Sequence, residues 1–470
     1  MTHRWLIGVG VVLALAAALA LIVGGAQPSL AENGVIYVDA DATGLDNGQD
    51  WTNAYTGLQA ALADAEAGQQ IWVAAGTYKP TDTTDRAVSF QMKNGVAIYG
   101  GFAGGETELG QRDWVANSTI LSGDLNNDDG PDFANREDNS YHVLYHPPGW
   151  ALDDTAVLDG FTITGGNANG DGSHNDGAGI YNYASSPALV NCILRQNWAA
   201  DLGGGMLNTD ASSPKLSNCA FKGNYASSGG GIMNNVSSSP ELTNCAFEDN
   251  EATGSGGGIY NYQSSPTLTG CSFSGNSAQY GGGLDSAYNS EPELANCTFA
   301  NNHASIRGGG MSSGFSSSPT LTNCTFYGNE ATDGGGAIYN YQSSPALTNC
   351  ILWGDTAAEL PDEILNESSS PDITYCDIQG GCDSDPSNSC GDGNIDADPL
   401  FLDPGNGDYH LGLGSPGIDA GSNTAPYLPE TDFEGDPRIM DGDGDGDPIV
   451  DMGVDEVWAR VYLPLVLRNH

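Results

Sequence analysis

Between about Gly177 and Cys376 the chain repeats itself every 26 or 27 residues. The unit reads roughly S-S-P-x-L-x-N-C-x-F-x-x-N-x-A-x-x-x-G-G-G-I-x-N, and its proline recurs at Pro187, Pro214, Pro240, Pro266, Pro292, Pro319, Pro345 and Pro371. A cysteine keeps step at Cys192, Cys219, Cys245, Cys271, Cys297, Cys324, Cys350 and Cys376. Self-similarity at a fixed short period is the mark of a solenoid, in which each unit buries its apolar face only against its neighbours.

The unit carries no apolar stripe of period 3.6, and its glycine triplet and Ser-Ser-Pro would break a helix, so strands are left. Leu is followed after three residues by Cys, then Cys and Phe alternate inward, which requires a bend at the Asn between Leu and Cys. Asn tolerates the left-handed conformation of a tight corner. A second Asn corner is expected after Phe, at Asn197, Asn224, Asn250, Asn276, Asn302 and Asn329. The glycine triplet running into Ile supplies a third side. The reading is an all-β chain, a right-handed parallel β-helix with three strands per coil of about 26 residues, with like residues stacked in ladders. Tyr55 to Gly68 has apolar residues at helical spacing and predicts a short N-terminal capping helix over the open end of the stack.

The expected organisation is a signal peptide over 1–31, an N-terminal cap and irregular first coils over 32–165, and regular repeats over 166–380. C-terminal coils or a cap with an Asp-rich loop follow over 381–456, then an apolar tail over 457–470. His3 and Arg4 precede a long apolar run that ends near Ser29-Leu30-Ala31, a pattern for export. Cleavage at that triplet and retention as an uncleaved membrane anchor both fit. The tail fits either a docking segment or a last strand over the final coil. Sixty acids against 13 bases make the net charge -47, a field that repels nucleic acid and anionic membranes.

Eight of the ten cysteines lie in register, where parallel side-chain vectors at the coil spacing disfavour disulfides, so a buried ladder of free thiols is expected. Cys382 and Cys390 fall outside the register and are free to pair with each other.

Several segments then resemble a known group. Y-V-D-A-D-A-T-G (37–44), W-V-A-A-G-T-Y-K-P (72–80), Y-G-G-F-A-G-G-E-T (99–107), D-P-L-F (398–401) and S-P-G-I-D-A-G (415–421) together look like bacterial exported right-handed parallel β-helix proteins with a choice-of-anchor C-terminal region. The repeats are similar to those of chlamydial polymorphic outer membrane proteins, defined by G-G-A-I and F-x-x-N. Gly335 to Ile338 matches the first, and the second starts at Phe221, Phe247, Phe273, Phe299 and Phe326. The resemblance implies secretion or display at the cell surface and leaves the ligand open.

Three features bear on function. I-Y-N-Y recurs at 180–183, 259–262 and 338–341, three coils apart, so Tyr181, Tyr183, Tyr260, Tyr262, Tyr339 and Tyr341 point outward on one sheet, where rings can stack on sugars or hold a protein partner. Asp441, Asp443, Asp445 and Asp447 alternate with glycines like the first half of a calcium loop, although Met452 stands where that loop ends in Glu. An enzyme on such a scaffold needs converging acids and bases. Arg195, Lys215, Lys222 and Arg307 read as lying at different places in the unit, and Asn208-Thr209-Asp210 stands without the partner motifs of a polygalacturonase. Asp124, Asp128, Asp132, His142 and His146 leave room for a site on the loops of 105–160. The preferred expectation is a non-catalytic exported protein for adhesion or glycan binding, with a polysaccharide lyase or glycoside hydrolase as the alternative.

Overall fold

The computed structural model describes residues 34–358 and 363–458. The segment expected to direct export, 1–31, and most of the apolar tail lie outside the described residues. Strands run parallel in four long sheets of 13, 11, 9 and 8 strands, and this is a right-handed parallel β-helix with one short α-helix among the described residues. One regular coil consists of Glu241–Thr243, Ala246–Glu248, Glu251–Ala252 and Ile259–Tyr262. After their inward residues these are called the Leu, Phe, Ala and Ile sheets.

Four strands per coil replace the three expected. The additional one, on the Ala sheet, is two residues long in most coils, too short to display an alternation. The core is a set of ladders in register, Leu on Leu and Phe on Phe. Phe221, Phe247, Phe273, Phe299 and Phe326 stack with centroids 4.5 to 4.9 Å apart and interplanar angles of 7° or less. The eight in-register cysteines are buried and free, and burial pushes thiols such as Cys219 and Cys297 up. From Cys192 to Cys350 each Sγ–H faces a leucine carbonyl of the preceding coil, as Cys271 faces Leu242 at 3.7 Å. Cys382 and Cys390 form the disulfide left open by the sequence.

The two asparagine series do different work. The first, Asn191, Asn218, Asn244, Asn296, Asn323 and Asn349, has φ from 51° to 57° and makes the Leu-to-Phe corner, as expected. In the second series the left-handed residue is the one before, for instance Asp249 (φ 53°). The asparagine itself turns inward. Asn250 Nδ2 donates to Phe221 O and to Asn276 Oδ1, both at 2.9 Å, and the pattern repeats along the stack. Asp355 ends this ladder, accepting from Asn329, because the last member needs only to accept. The first serine of each Ser-Ser-Pro forms a further ladder, Ser238 N donating to Ser264 Oγ at 3.0 Å and Ser264 N to Ser290 Oγ at 3.1 Å. At the third glycine of the triplet a Cβ would meet the next coil's carbonyl, 2.5 Å from Gly258, so glycine lets the coils stack closely there, Ala337 being the exception beside the last full coil.

The helix Leu58–Asp64 buries Leu58, Ala61 and Leu62 at the N-terminal end. Val157–Ile163 is two strands broken at Gly160, and Val88–Met92 contributes only one bridge, Phe90 to Leu144. At the other end residues 401–458 fold back along the coils. Corner asparagines hold them: Asn323 Nδ2 donates to Asp451 O at 2.8 Å, and Asn349 Oδ1 accepts from Ser422 N at 2.7 Å. Arg438, 1% exposed, donates to Asn296 Oδ1 at 3.0 Å and faces Glu456 at 3.6 Å.

Candidate functional site

The outward second position of the Ile sheet runs, in register, Tyr145, Tyr181, Leu207, Met233, Tyr260, Asp285, Ser312, Tyr339, Leu365. The two intervals between tyrosine-bearing coils are therefore unlike. In the first, Leu207 and Met233 fill the space and pack with Tyr181, Tyr183, Tyr260 and Tyr262. In the second, Asp285 with Ala287 and Ser312 with Gly314 leave a hollow of about 450 Å³, within the range of small-ligand sites.

Rings surround this hollow. Tyr260 and Tyr339 close its two ends, and Tyr280, Tyr288, Phe315 and Tyr341 line its sides. Tyr262 meets Tyr288 at 4.9 Å, Tyr288 stacks on Phe315 at 4.6 Å and 8°, and Phe315 meets Tyr341 edge-on at 5.3 Å. Opposite, Tyr280 faces Tyr339 at 6.4 Å. Tyr288 and Phe315 occupy the corner after the strand with φ of 58° and 55°, where neighbouring coils carry Val236, Gln263 and Gln342. They are 40% and 44% exposed. On the same two coils the Ala-sheet strands lengthen to Ser277–Tyr280 and His303–Arg307. Among the described residues, small residues on the strand, aromatics at the corner and a longer neighbouring strand thus coincide on two coils only.

Asp285 sits at the floor, 6% exposed. Burial raises its carboxyl to about 6, opposed by the hydroxyls of Ser255 and Ser312 and the amide of Ser286. Arg307, beside the hollow, is committed elsewhere: its guanidinium donates to Glu367 Oε1 at 2.6 Å and Tyr339 Oη at 3.0 Å, and lies 5.1 Å from the Tyr339 ring centroid.

Of the six expected tyrosines, Tyr260, Tyr339 and Tyr341 line the hollow and Tyr262 supports its rim through Tyr288. Tyr181 and Tyr183 belong to the filled interval, and Tyr181, like Tyr339, points outward but is covered. Asp285, Tyr280, Tyr288 and Phe315 went unnoticed in the sequence. For Asp285, Tyr288 and Phe315 the signal is departure from the repeat, L-D-S-A-Y and M-S-S-G-F where the flanking coils at 259–263 and 338–342 read I-Y-N-Y-Q.

In the Asp-rich loop, Asp441 and Asp443 bring carboxylate oxygens within 4.8 Å of each other and of Asp419, while Asp445 and Asp447 do not join them. Most of these oxygens already accept loop amides: Asp441 from Gly444 and Gly446, Asp443 from Asp445, Asp419 from Asp443. Asn208 is a fully buried link in a second inward ladder, Asn182 to Asn208 to Asn234 to Asn261 at 2.9 Å each, and Asp210 forms a corner with φ 57°. His146 heads that ladder through Asn182 Oδ1 at 2.7 Å, and His142 bonds Gly177 O at 2.9 Å. Burial lowers both imidazoles to about 4.

The basic residues are less scattered than expected. Arg195 and Lys222 lie side by side in register on the outer face of the Phe sheet. They share a hollow of about 550 Å³ with Arg136, Asp124, Asp129 and Asp249. Asp124, Asp128 and Asp129 converge within 4.8 Å, whereas Asp132 is an exposed turn residue.

The fold and these outer faces define a right-handed β-helix scaffold. Residues 151–299 match the model for the right-handed beta helix region, and residues 323–341 match the Chlamydia polymorphic membrane protein repeat. A search of curated proteins finds no match. Among solved structures the chain is similar to pectate lyase Pel9A, with TM-score 0.53 and 13% identity over 90% of this chain and 96% of that one. A rhamnogalacturonan lyase aligns at TM-score 0.33 and 12% identity, covering 79% and 91%. The first likeness shows the fold alone, and the second carries no argument.

Proposed function

We propose that this is an exported protein, displayed at the cell surface or secreted, that binds glycans through the aromatic hollow without turning them over and so serves adhesion. The hollow carries the reading: six rings around a concave floor, built where two coils depart from the repeat. Sugar rings present apolar faces that stack on tyrosine and phenylalanine, each contact contributing on the order of 1 kcal/mol. The similarity of residues 323–341 to a polymorphic membrane protein repeat supports surface display. A glycan array with the parent and a Tyr288→Ser/Phe315→Ser variant tests the reading. Both corner rings are substantially exposed, so the variant should fold as the parent does and lose most of the signal; equal signals would refute it. A protein ligand at the same rings would show as binding to cells that survives removal of their glycans.

A second reading, a polysaccharide lyase, has its own observation: three converging acids beside Arg136, Arg195 and Lys222 on a scaffold similar to pectate lyase Pel9A. Incubation with polygalacturonate and calcium, followed by assay for unsaturated ends, decides it. For calcium in the C-terminal region, Asp419, Asp441 and Asp443 are the residues that would hold the ion. Chelation that lowers the melting temperature of the parent but not of Asp419→Ala would support that site.

A further inference from the structure

The floor of the hollow carries a charge that stacking alone does not use. A neutral sugar needs hydrogen-bonding groups on the floor, where Ser255 and Ser312 lie. Asp285 is different. It is a carboxylate under a canopy of tyrosines, and no Lys, Arg or His among the described residues forms a salt bridge with it. The other coils put Tyr, Leu, Met or Ser at this position, so the fold does not require an acid. A buried acid without a counter-charge destabilises the protein unless something compensates it.

The hydroxyls of Ser255 and Ser312 and the Ser286 amide offset part of that cost by hydrogen bonding, and Arg307 does not supply the missing charge. Its charge is shared with Glu367 at 2.6 Å and Asp333 at 4.0 Å, two acids for one base. Around the hollow the balance therefore stays negative, and the net charge of -47 favours approach of cations over anions. The tyrosine and phenylalanine faces add a second attraction of the same sign, since the ring quadrupole draws a cation placed over it. Aromatic walls with one carboxylate at the base form the arrangement that suits an organic ammonium group. They would repel a uronate.

Resting on the glycan reading above, we propose that the hollow selects a glycan residue bearing a protonated amine, an unacetylated amino sugar, with the ammonium on Asp285 and the sugar face against the rings. With burial raising the carboxyl to about 6, Asp285 is ionised at neutral pH and free to take such a partner.

Isothermal titration at pH 7 with a glucosamine tetramer, its fully N-acetylated counterpart and choline tests this. The glucosamine tetramer should bind about tenfold or more tighter than the acetylated one, and Asp285→Asn, which keeps the shape and removes the charge, should erase that preference. A melting curve of Asp285→Asn checks that it is folded, and Tyr288→Ser/Phe315→Ser should weaken both oligomers together. Equal affinity for the two tetramers, or a preference that survives in Asp285→Asn, overturns the proposal while leaving the glycan reading standing. Choline bound in place of the sugar also overturns it. If none of the three binds the proposal falls, and the glycan array decides separately whether the aromatic hollow binds glycans at all.

Discussion

Replacing Asn250 by alanine tests whether the inward asparagine ladder holds the coils together. Asn250 is fully buried. Its side chain donates to Phe221 O and Asn276 Oδ1 at 2.9 Å each, and its Oδ1 accepts from Asn224 N at 3.1 Å and Asn224 Nδ2 at 2.9 Å. Alanine removes all four bonds but does not strand every partner. Asn276 Oδ1 still accepts from the backbone of residue 250 at 3.0 Å, and Asn224 Nδ2 still reaches Leu194 O at 2.9 Å. Left without partners are the Asn224 backbone N–H and one amide hydrogen, while the Phe221 carbonyl loses one of its donors and keeps its place in the parallel ladder with the next coil. At about 1–3 kcal/mol for each stranded buried group, and with strict additivity discounted, the expected loss is about 3–5 kcal/mol. Urea denaturation followed by tryptophan fluorescence reads the total. Hydrogen exchange at the amides of the neighbouring coils shows whether the weakness is local, as nearest-neighbour coupling in a solenoid requires. The control is Asn244→Gly, at an exposed corner with φ 51° where the next coil carries Gly270; it should change stability by less than about 0.5 kcal/mol. A loss under about 1 kcal/mol for Asn250→Ala would refute the ladder's role.

Thiol labelling of the protein without reductant should be negligible when folded and rise by eight groups on unfolding, the disulfide remaining closed; labelling in the folded state would contradict the buried ladder. Asp285 has its carboxyl raised from 3.8 to about 6. Between those values the folded state holds the proton that the unfolded state has lost, so stability falls as pH rises through that window. The full penalty, about 3 kcal/mol, is present above pH 6. The stability of Asp285→Asn relative to the parent should therefore rise by about that amount from pH 4 to pH 7.5, and a flat difference would show that the carboxyl is not perturbed. Arg438→Met strips donors from Asn296 Oδ1 and two carbonyls and should cost about 3–5 kcal/mol. Limited proteolysis should then release the segment after residue 400 before the coils are cut.

How much of this molecule is readable from the chain depends on which side of the coil a residue faces. Inward positions repeat because each must fit the same slot in every coil. A single unit therefore reveals the Leu, Phe and Ile sides, the corner asparagines and the glycine triplet without knowledge of any neighbour. The same regularity indicated free thiols at eight positions and left Cys382 and Cys390 over. The two-residue Ala strand escaped because so short an element has no period of its own. The second asparagine series reads as corners because sequence gives residue type and not side-chain direction; only stacking shows that Asn250 bridges two coils.

Outward positions are a different matter. No core constrains Asp285, Ser312, Tyr288 or Phe315, and each in isolation reads as surface variation. The hollow exists only in register, where two coils with small outward residues lie between Tyr260 and Tyr339. Likewise Arg195 and Lys222 became neighbours only when Ile193–Arg195 paired with Ala220–Lys222. Local patterning determines how a coil closes, since that is a matter of backbone sterics and burial within some 26 residues. A binding surface is a difference between successive coils, and it is decided by which side chains the stack brings side by side.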